Sequence, residues 1–303
     1  MITKAVITAA GRGTRQYPAT NAVQKELFPV VDLDGIAKPT IQIIAEQAVQ
    51  AGIEEICIVV NPGEGEQLRR HFKGLGPDEK EGFRRQNKGW ILKQSDLLSD
   101  LNRRITYVEQ TEPHGFGHAV WCARRFSGPD PFLLLLGDHL YLSNSPISCI
   151  EQAIQGYGQV KTTLLPVVRT PVHQINLFGT LCGEPVPGKA GFYSVRKIIE
   201  KPDAETARKQ LKTPGLSEDE YLTLFGIYAL SGRIMDYLGK HVENDIRSGD
   251  EIQLTTALQE LIDRDKAYAL EINGLRLDMG TPLGYIQTQL ALARRGVFGD
   301  RLE

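Results

Sequence analysis

"TAAGRGTRQYPATNAVQKELFPV", Thr8–Val30, follows the apolar run "AVI" and reads as a strand passing into a glycine-rich turn. Gly11, Arg12, Gly13, Arg15 and Lys25 fall within this one loop. Glycine lets backbone N–H groups approach an anion closely, and Arg and Lys add positive charge. Phosphate is the ligand class these residues imply. Two common phosphate cradles do not fit. A dinucleotide turn wants G-x-G-x-x-G, but position 16 is Gln. A P-loop wants G-x-x-x-x-G-K-[ST], which is absent. A glycine after a strand is by itself commonly no more than a turn.

Working outward, apolar runs alternate with helical patterns. "AVITAA" (5–10), "EICIVV" (55–60), "RITYVEQ" (104–110) and "FLLLLGD" (132–138) read as strands. Between the first two, Ile41, Ile44, Ala45, Ala48 and Val49 recur at helical spacing, and Gly52 stops the helix. "GHAVWCARRF" reads as a short helix. Continuous apolar strands separated by helices imply a parallel sheet covered on both faces, so the fold class expected is α/β, with a mixed, mostly parallel, Rossmann-like sheet. Residues 64–103 are polar and weakly periodic, and read as a surface excursion with helical pieces. In the second half "VKTTLLPVV" (160–168), "GFYSVRKIIEKPD" and "YLTLFGIYALS" read as strands around a charged loop (203–220). Ser248 and Glu251 have capping-box spacing before the apolar stripe Leu254, Ala257, Leu258, Leu261, Ile262. A last helix takes Thr281 as N-cap, Pro282 in its first turn and Gly296 after its end. No repeat or clear linker interrupts residues 1–303, read as one domain with two halves, about 1–140 and about 141–303.

The bulk numbers exclude several classes. The 303-residue chain has 35 basic and 37 acidic side chains, a net charge of −2, without the basic excess that general nucleic-acid binding requires. Cys57, Cys122, Cys149 and Cys182 form no C-x-x-C pair, and the six histidines form no H-E-x-x-H. His114 and His118 lie four apart without a third ligand to suggest a metal. No stretch of apolar residues is long enough for a transmembrane helix, and the N-terminus lacks a signal-peptide core. A cytoplasmic enzyme with no membrane or nucleic-acid partner is expected.

"AAGRGTRQYPAT" and "QKELFPV" resemble the signature loop of the sugar-nucleotide pyrophosphorylases, roughly A-G-x-G-T-R-x-x-P-x-T followed by K-E-[ML]-x-P. Further segments match that family in order: "YVEQTEPHGFGHAV" (107–120), "LLLLGD" ending at Asp138, "RKIIEKP" (196–202), "GDEIQLTTAL" (249–258) and "LDMGTPLGY" (277–285). Among these enzymes the bacterial uridylyltransferase subgroup is most similar. The resemblance implies transfer of a uridylyl group from UTP to α-D-glucose 1-phosphate, with Mg²⁺ as cofactor. Arg15 and Lys25 would be catalytic. Ala10, Gly11, Gly13, Thr14, Gln110 and Gly115 would bind the nucleotide, with the Gln110 amide pairing with both N3–H and a carbonyl of uracil. Gly179, Glu200 and Lys201 would bind the sugar phosphate, and Asp138 and Asp278 the metal. A homodimer or tetramer is also implied. Use of dTTP or another sugar phosphate is the nearest alternative, and a non-catalytic nucleotide-sugar sensor is one of another class. The sequence departs from the family pattern at Gln24, at Thr256, at His139 beside Asp138, and in the insertion "LDGIA" before Lys38.

Overall fold

In the computed structural model, which describes residues 1–301, the strand Lys4–Ala9 lies inside a ten-stranded sheet. Its side chains alternate between two cores: Ala5, Ile7 and Ala9 enter one, and Val6 the other. This explains why the run is apolar throughout. Lys4–Ala9 pairs in parallel with Glu55–Val60 on one side and Phe132–Leu136 on the other, and Ile105–Glu109 extends the parallel set. Each Ile, Leu or Val removed from water here contributes about 1.5–3 kcal/mol.

Helix Thr40–Gln50 covers one face with Ile41, Ile44, Ala45 and Ala48. Helices Phe116–Cys122, Ile234–Glu243 and Leu254–Arg264 cover the other. The sheet is mixed, and its parallel character is concentrated in the first half. Ile227–Leu230 joins Phe132–Leu136 antiparallel, and the far edge, built from Thr180–Pro185, Phe192–Ile199 and Glu220–Leu224, is antiparallel too. In the second half only Tyr268–Glu271 pairs in parallel, with Leu164–Pro171.

Several elements differ from the sequence expectation. Residues 64–103 hold three helices, Gly65–Lys73, Pro77–Arg85 and Gly89–Arg104. Val160 ends a helix, Cys149–Val160, capped by a box of Ser148 and Glu151, so the strand expected from 160 starts at Leu164. "YLTLFGIYALS" is two strands, Glu220–Leu224 and Ile227–Leu230, parted at Gly226. The charged loop contains helix Ala204–Gln210, capped by Asp203. The Ser248–Glu251 capping box does not form. The Ile252 N–H donates to His114 O (2.7 Å) and the Gly117 N–H to Ile252 O (2.8 Å), which holds this segment extended; the helix begins at Leu254. The final helix, Pro282–Arg295, has the expected Thr281 cap and Gly296 terminus. Among the described residues no helix is long and apolar enough to cross a membrane.

Candidate active site

The glycine-rich loop leaves the strand end and turns at Gly13, whose carbonyl accepts from the Gln16 N–H (2.8 Å) and from Thr20 Oγ1 (3.1 Å). Gln16 is buried, and its Nε2 donates to Met279 O at 2.7 Å. That bond ties the loop carrying Arg15 to the segment carrying Asp278. Gly280 marks their approach: a Cβ there would come within 2.5–3.0 Å of the Arg15 guanidinium, Asp278 Oδ1 and Asp138 Oδ2. Only glycine leaves this space open.

Lys25 opens the short 3₁₀ turn Lys25–Leu27 and points its Nζ at Asp138 Oδ2, 2.6 Å away, with Glu26 Oε1 at 3.6 Å. Burial works against the ammonium, but Asp138 and Glu26 outweigh it and raise its pKa above the ordinary lysine value. Asp138 follows strand Phe132–Leu136. Burial opposes its charge, yet His139 and Lys25 hold its carboxyl well below the usual range. Glu26 is buried with weaker compensation and is pushed up to about 8, chiefly by desolvation. Two adjacent carboxyl groups are thus driven apart, one ionised and one protonated at neutral pH. Asp278 lies at the end of strand Gly274–Asp278, directly opposite His139 in strand His139–Ser143.

A cavity of about 690 Å³ runs from this cluster across the ends of the strands. Of the nucleotide-side residues, Ala10, Gly11, Arg15, Lys25, Gln110 and Gly115 line it. Asp138, Asp278, Gly179, Glu200 and Lys201 line its other walls. Gly13 and Thr14 do not; Gly13 shapes the turn and packs beside Thr20.

Several positioning contacts escape a sequence reading. The Gln110 amide donates to Gly115 O (3.0 Å) and to His118 Nδ1 (3.1 Å). Both amide hydrogens are engaged, so Gln110 presents only its oxygen to the cavity, which corrects the expectation that it pairs as donor and acceptor together. His118 is buried and stacks on Trp121; the four-residue spacing that failed as a metal pattern was its only signal. Thr255 Oγ1 donates to Glu200 Oε2 at 2.7 Å. At Gly179 a Cβ would lie 2.6 Å from Leu224 Cδ1 and 3.1 Å from Glu200 Oε2, so glycine lets the chain pass beside that carboxylate. Lys201 takes a left-handed φ of 43° before Pro202, held by its N–H bond to Phe178 O (3.2 Å). Arg276 stacks on Phe178 with its guanidinium 3.4 Å from the ring centroid.

The family described as Nucleotidyl transferase matches residues 4–295, nearly the whole chain. The chain belongs to the nucleotidyl transferase family. This nucleotidyltransferase is 36% identical over 292 residues to UTP–glucose-1-phosphate uridylyltransferase of Bacillus subtilis, spanning 96% of this chain and 91% of that one. A Staphylococcus epidermidis enzyme of the same name is 35% identical over the same share of this chain and 92% of its own. Among solved structures, a UTP-bound UGPase from Acinetobacter baumannii superposes with a TM-score of 0.82 at 27% identity, covering 100% of this chain and 97% of the other. A UDP-glucose pyrophosphorylase in complex with UDP-glucose gives 0.78 at 26% identity, covering 97% and 100%.

Proposed function

We propose that this enzyme transfers the uridylyl group of UTP to α-D-glucose 1-phosphate, giving UDP-glucose and pyrophosphate. The observation that carries the reading is a single cavity lined by Arg15, Lys25 and Lys201 together with the carboxylates of Asp138 and Asp278. A phosphate oxygen of the sugar phosphate attacks the α-phosphorus. The new P–O bond forms as the bond to the β-phosphate bridging oxygen breaks, and pyrophosphate leaves. Both reactants are anions, so positioning and charge neutralisation supply most of the catalysis.

Arg15 would hold the departing β- and γ-phosphates, and Lys25 the reacting centre. Lys201, at the mouth, would meet the sugar phosphate. Glu200, oriented by Thr255, would accept from glucose hydroxyls where Gly179 lets the hexose approach. Gln110 Oε1 would accept from uracil N3–H, leaving a uracil carbonyl to the Gly115 N–H. Asp138 and Asp278 fit a divalent cation, for which we propose Mg²⁺: both are oxygen donors, and the absent Cβ of Gly280 leaves room between them. When bound, the ion supplies charge that offsets the phosphate oxygens. The continuous sheet supports reading both halves as one catalytic domain.

The test is pyrophosphate release by the purified protein across UTP, dTTP, CTP and ATP, each with a panel of sugar 1-phosphates. UTP with glucose 1-phosphate should give the highest kcat/KM. Turnover with no nucleotide, or a clear preference for another pair, contradicts the reading.

A further inference from the structure

We infer that His139 is a third protein ligand of the cation site, making it a mixed nitrogen–oxygen site that binds Co²⁺ and similar transition ions more tightly, relative to the Mg²⁺ proposed above, than the two aspartates alone would. This rests on the proposed function only in placing a cation between Asp138 and Asp278. One donor atom from each of Asp138, His139 and Asp278 can be chosen so that all lie within 4.8 Å of one another.

Two independent features of the fold produce that arrangement. His139 and Asp278 are directly paired in an antiparallel two-stranded sheet. Paired residues send their side chains to the same face, with Cβ atoms about 4.5–5.5 Å apart. Asp138 is the preceding residue, and its Oδ1 lies 2.9 Å from His139 Nδ1. About 3 Å is the separation of adjacent donors around an ion with bonds of about 2.1 Å. Lys25 pins Oδ2 of the same carboxylate, leaving Oδ1 on the histidine side.

The imidazole is buried against the cavity it lines. Its hydrogen bond among the described residues is the one from Nδ1 to Asp138. A bound ion would take the place of the hydrogen on Nδ1, with Nε2 then carrying the ring's N–H. Imidazole favours transition ions over Mg²⁺, whereas an all-carboxylate site does not, so this one side chain shifts the choice of metal.

The experiment uses the full chain with UDP-glucose bound. Mn²⁺ occupancy is followed by electron paramagnetic resonance, its nitrogen ligation by pulsed measurement of ¹⁴N modulation, and Co²⁺ and Mg²⁺ affinities by displacement of Mn²⁺. Wild type should show imidazole ¹⁴N modulation. His139→Val should lose it and lower the Co²⁺/Mg²⁺ affinity ratio by about tenfold or more. Asp278→Asn should abolish tight Mn²⁺ binding. Binding that needs Asp278 but shows no ¹⁴N modulation in wild type overturns this inference and leaves the proposed function standing; this outcome does not depend on how the valine variant folds. Mn²⁺ binding indifferent to Asp278 overturns the cation assignment of the proposed function as well.

Discussion

Gln110 is 4% exposed, and its two amide hydrogens are spoken for by Gly115 O and His118 Nδ1. An oxygen fixed in this way welcomes uracil's N3–H and opposes the N3 lone pair of cytosine. A mismatched base leaves two acceptors face to face, so kcat/KM for UTP should exceed that for CTP by about 10²-fold. Gln110→Ala should collapse the ratio. His118→Leu should reduce it too, because one of the two acceptors that forbid an amide flip is gone. An unchanged ratio in both variants, from steady-state kinetics with each nucleotide, removes Gln110 as the reader of the base.

Glu26 gives a prediction in pH. Its folded pKa, raised to about 8, lies above the ordinary value of 4.5. Between those values the folded chain keeps a proton that the unfolded chain has released, so raising the pH removes stability. His118 and His71 have lowered pKa values and act only below about 6.5, where their unfolded forms take up protons. Between pH 6.5 and 8 Glu26 therefore contributes a loss of stability that the two lowered histidines do not share. Tm should fall across it in wild type and stay flatter in Glu26→Gln, by about 2–4 °C for each kcal/mol involved. Parallel Tm–pH curves for the two proteins contradict the assignment.

At the scale of elements, the helix Pro282–Arg295 shows both what the sequence discloses and what it withholds. Thr281, Pro282 and Gly296 announce its ends through local chemistry, and the structure agrees. Its inner face is less legible. Thr288 and Leu292 are buried and Tyr285 donates to Pro29 O (2.7 Å), contacts that depend on a chain segment more than 250 residues away. The same contrast holds elsewhere. The parallel strands read cleanly because burial on both faces makes them continuously apolar. The Ser248–Glu251 spacing misleads because Ile252 bonds to His114 and Gly117, a tertiary contact that outweighs a local cap. In the site, the residues carrying charge are legible as family motifs. Those that hold them, His118, Thr255 and Gln16, are not, since a hydrogen bond between distant positions has no periodicity.

The outer face of that helix exposes Leu283, Ile286 and Leu290 at i, i+3 and i+7, with Val297 beyond its end. We propose that a second copy of this chain covers this stripe, in the homodimer or tetramer that the family resemblance implies. Ile286→Glu should convert a dimer to a monomer in light scattering with the fold intact. A wild-type monomer at micromolar concentration contradicts the assignment.

Across the whole molecule, the site is made where two halves of one sheet meet. Asp138 leaves the last strand of the parallel half, and Asp278 ends a short strand late in the chain that pairs antiparallel with His139–Ser143. Gln16 bonds across to Met279, which ties the glycine-rich loop to the segment carrying the second aspartate. Helices on both faces fix the strands that carry these groups, and the antiparallel half brings Gly179, Glu200 and Lys201 to the same cavity. Catalysis in this account depends on charges pre-arranged from both halves around one reacting phosphorus. The most direct measurement compares kcat of wild type, Asp138→Asn and Asp278→Asn with UTP and glucose 1-phosphate at saturating Mg²⁺, alongside UDP-glucose affinity by calorimetry. The account predicts a loss of about 10²-fold or more in kcat for each variant, the scale of a lost pre-organised charge stabiliser, with the fold retained by circular dichroism and UDP-glucose still bound. Near-normal kcat in both variants would contradict it.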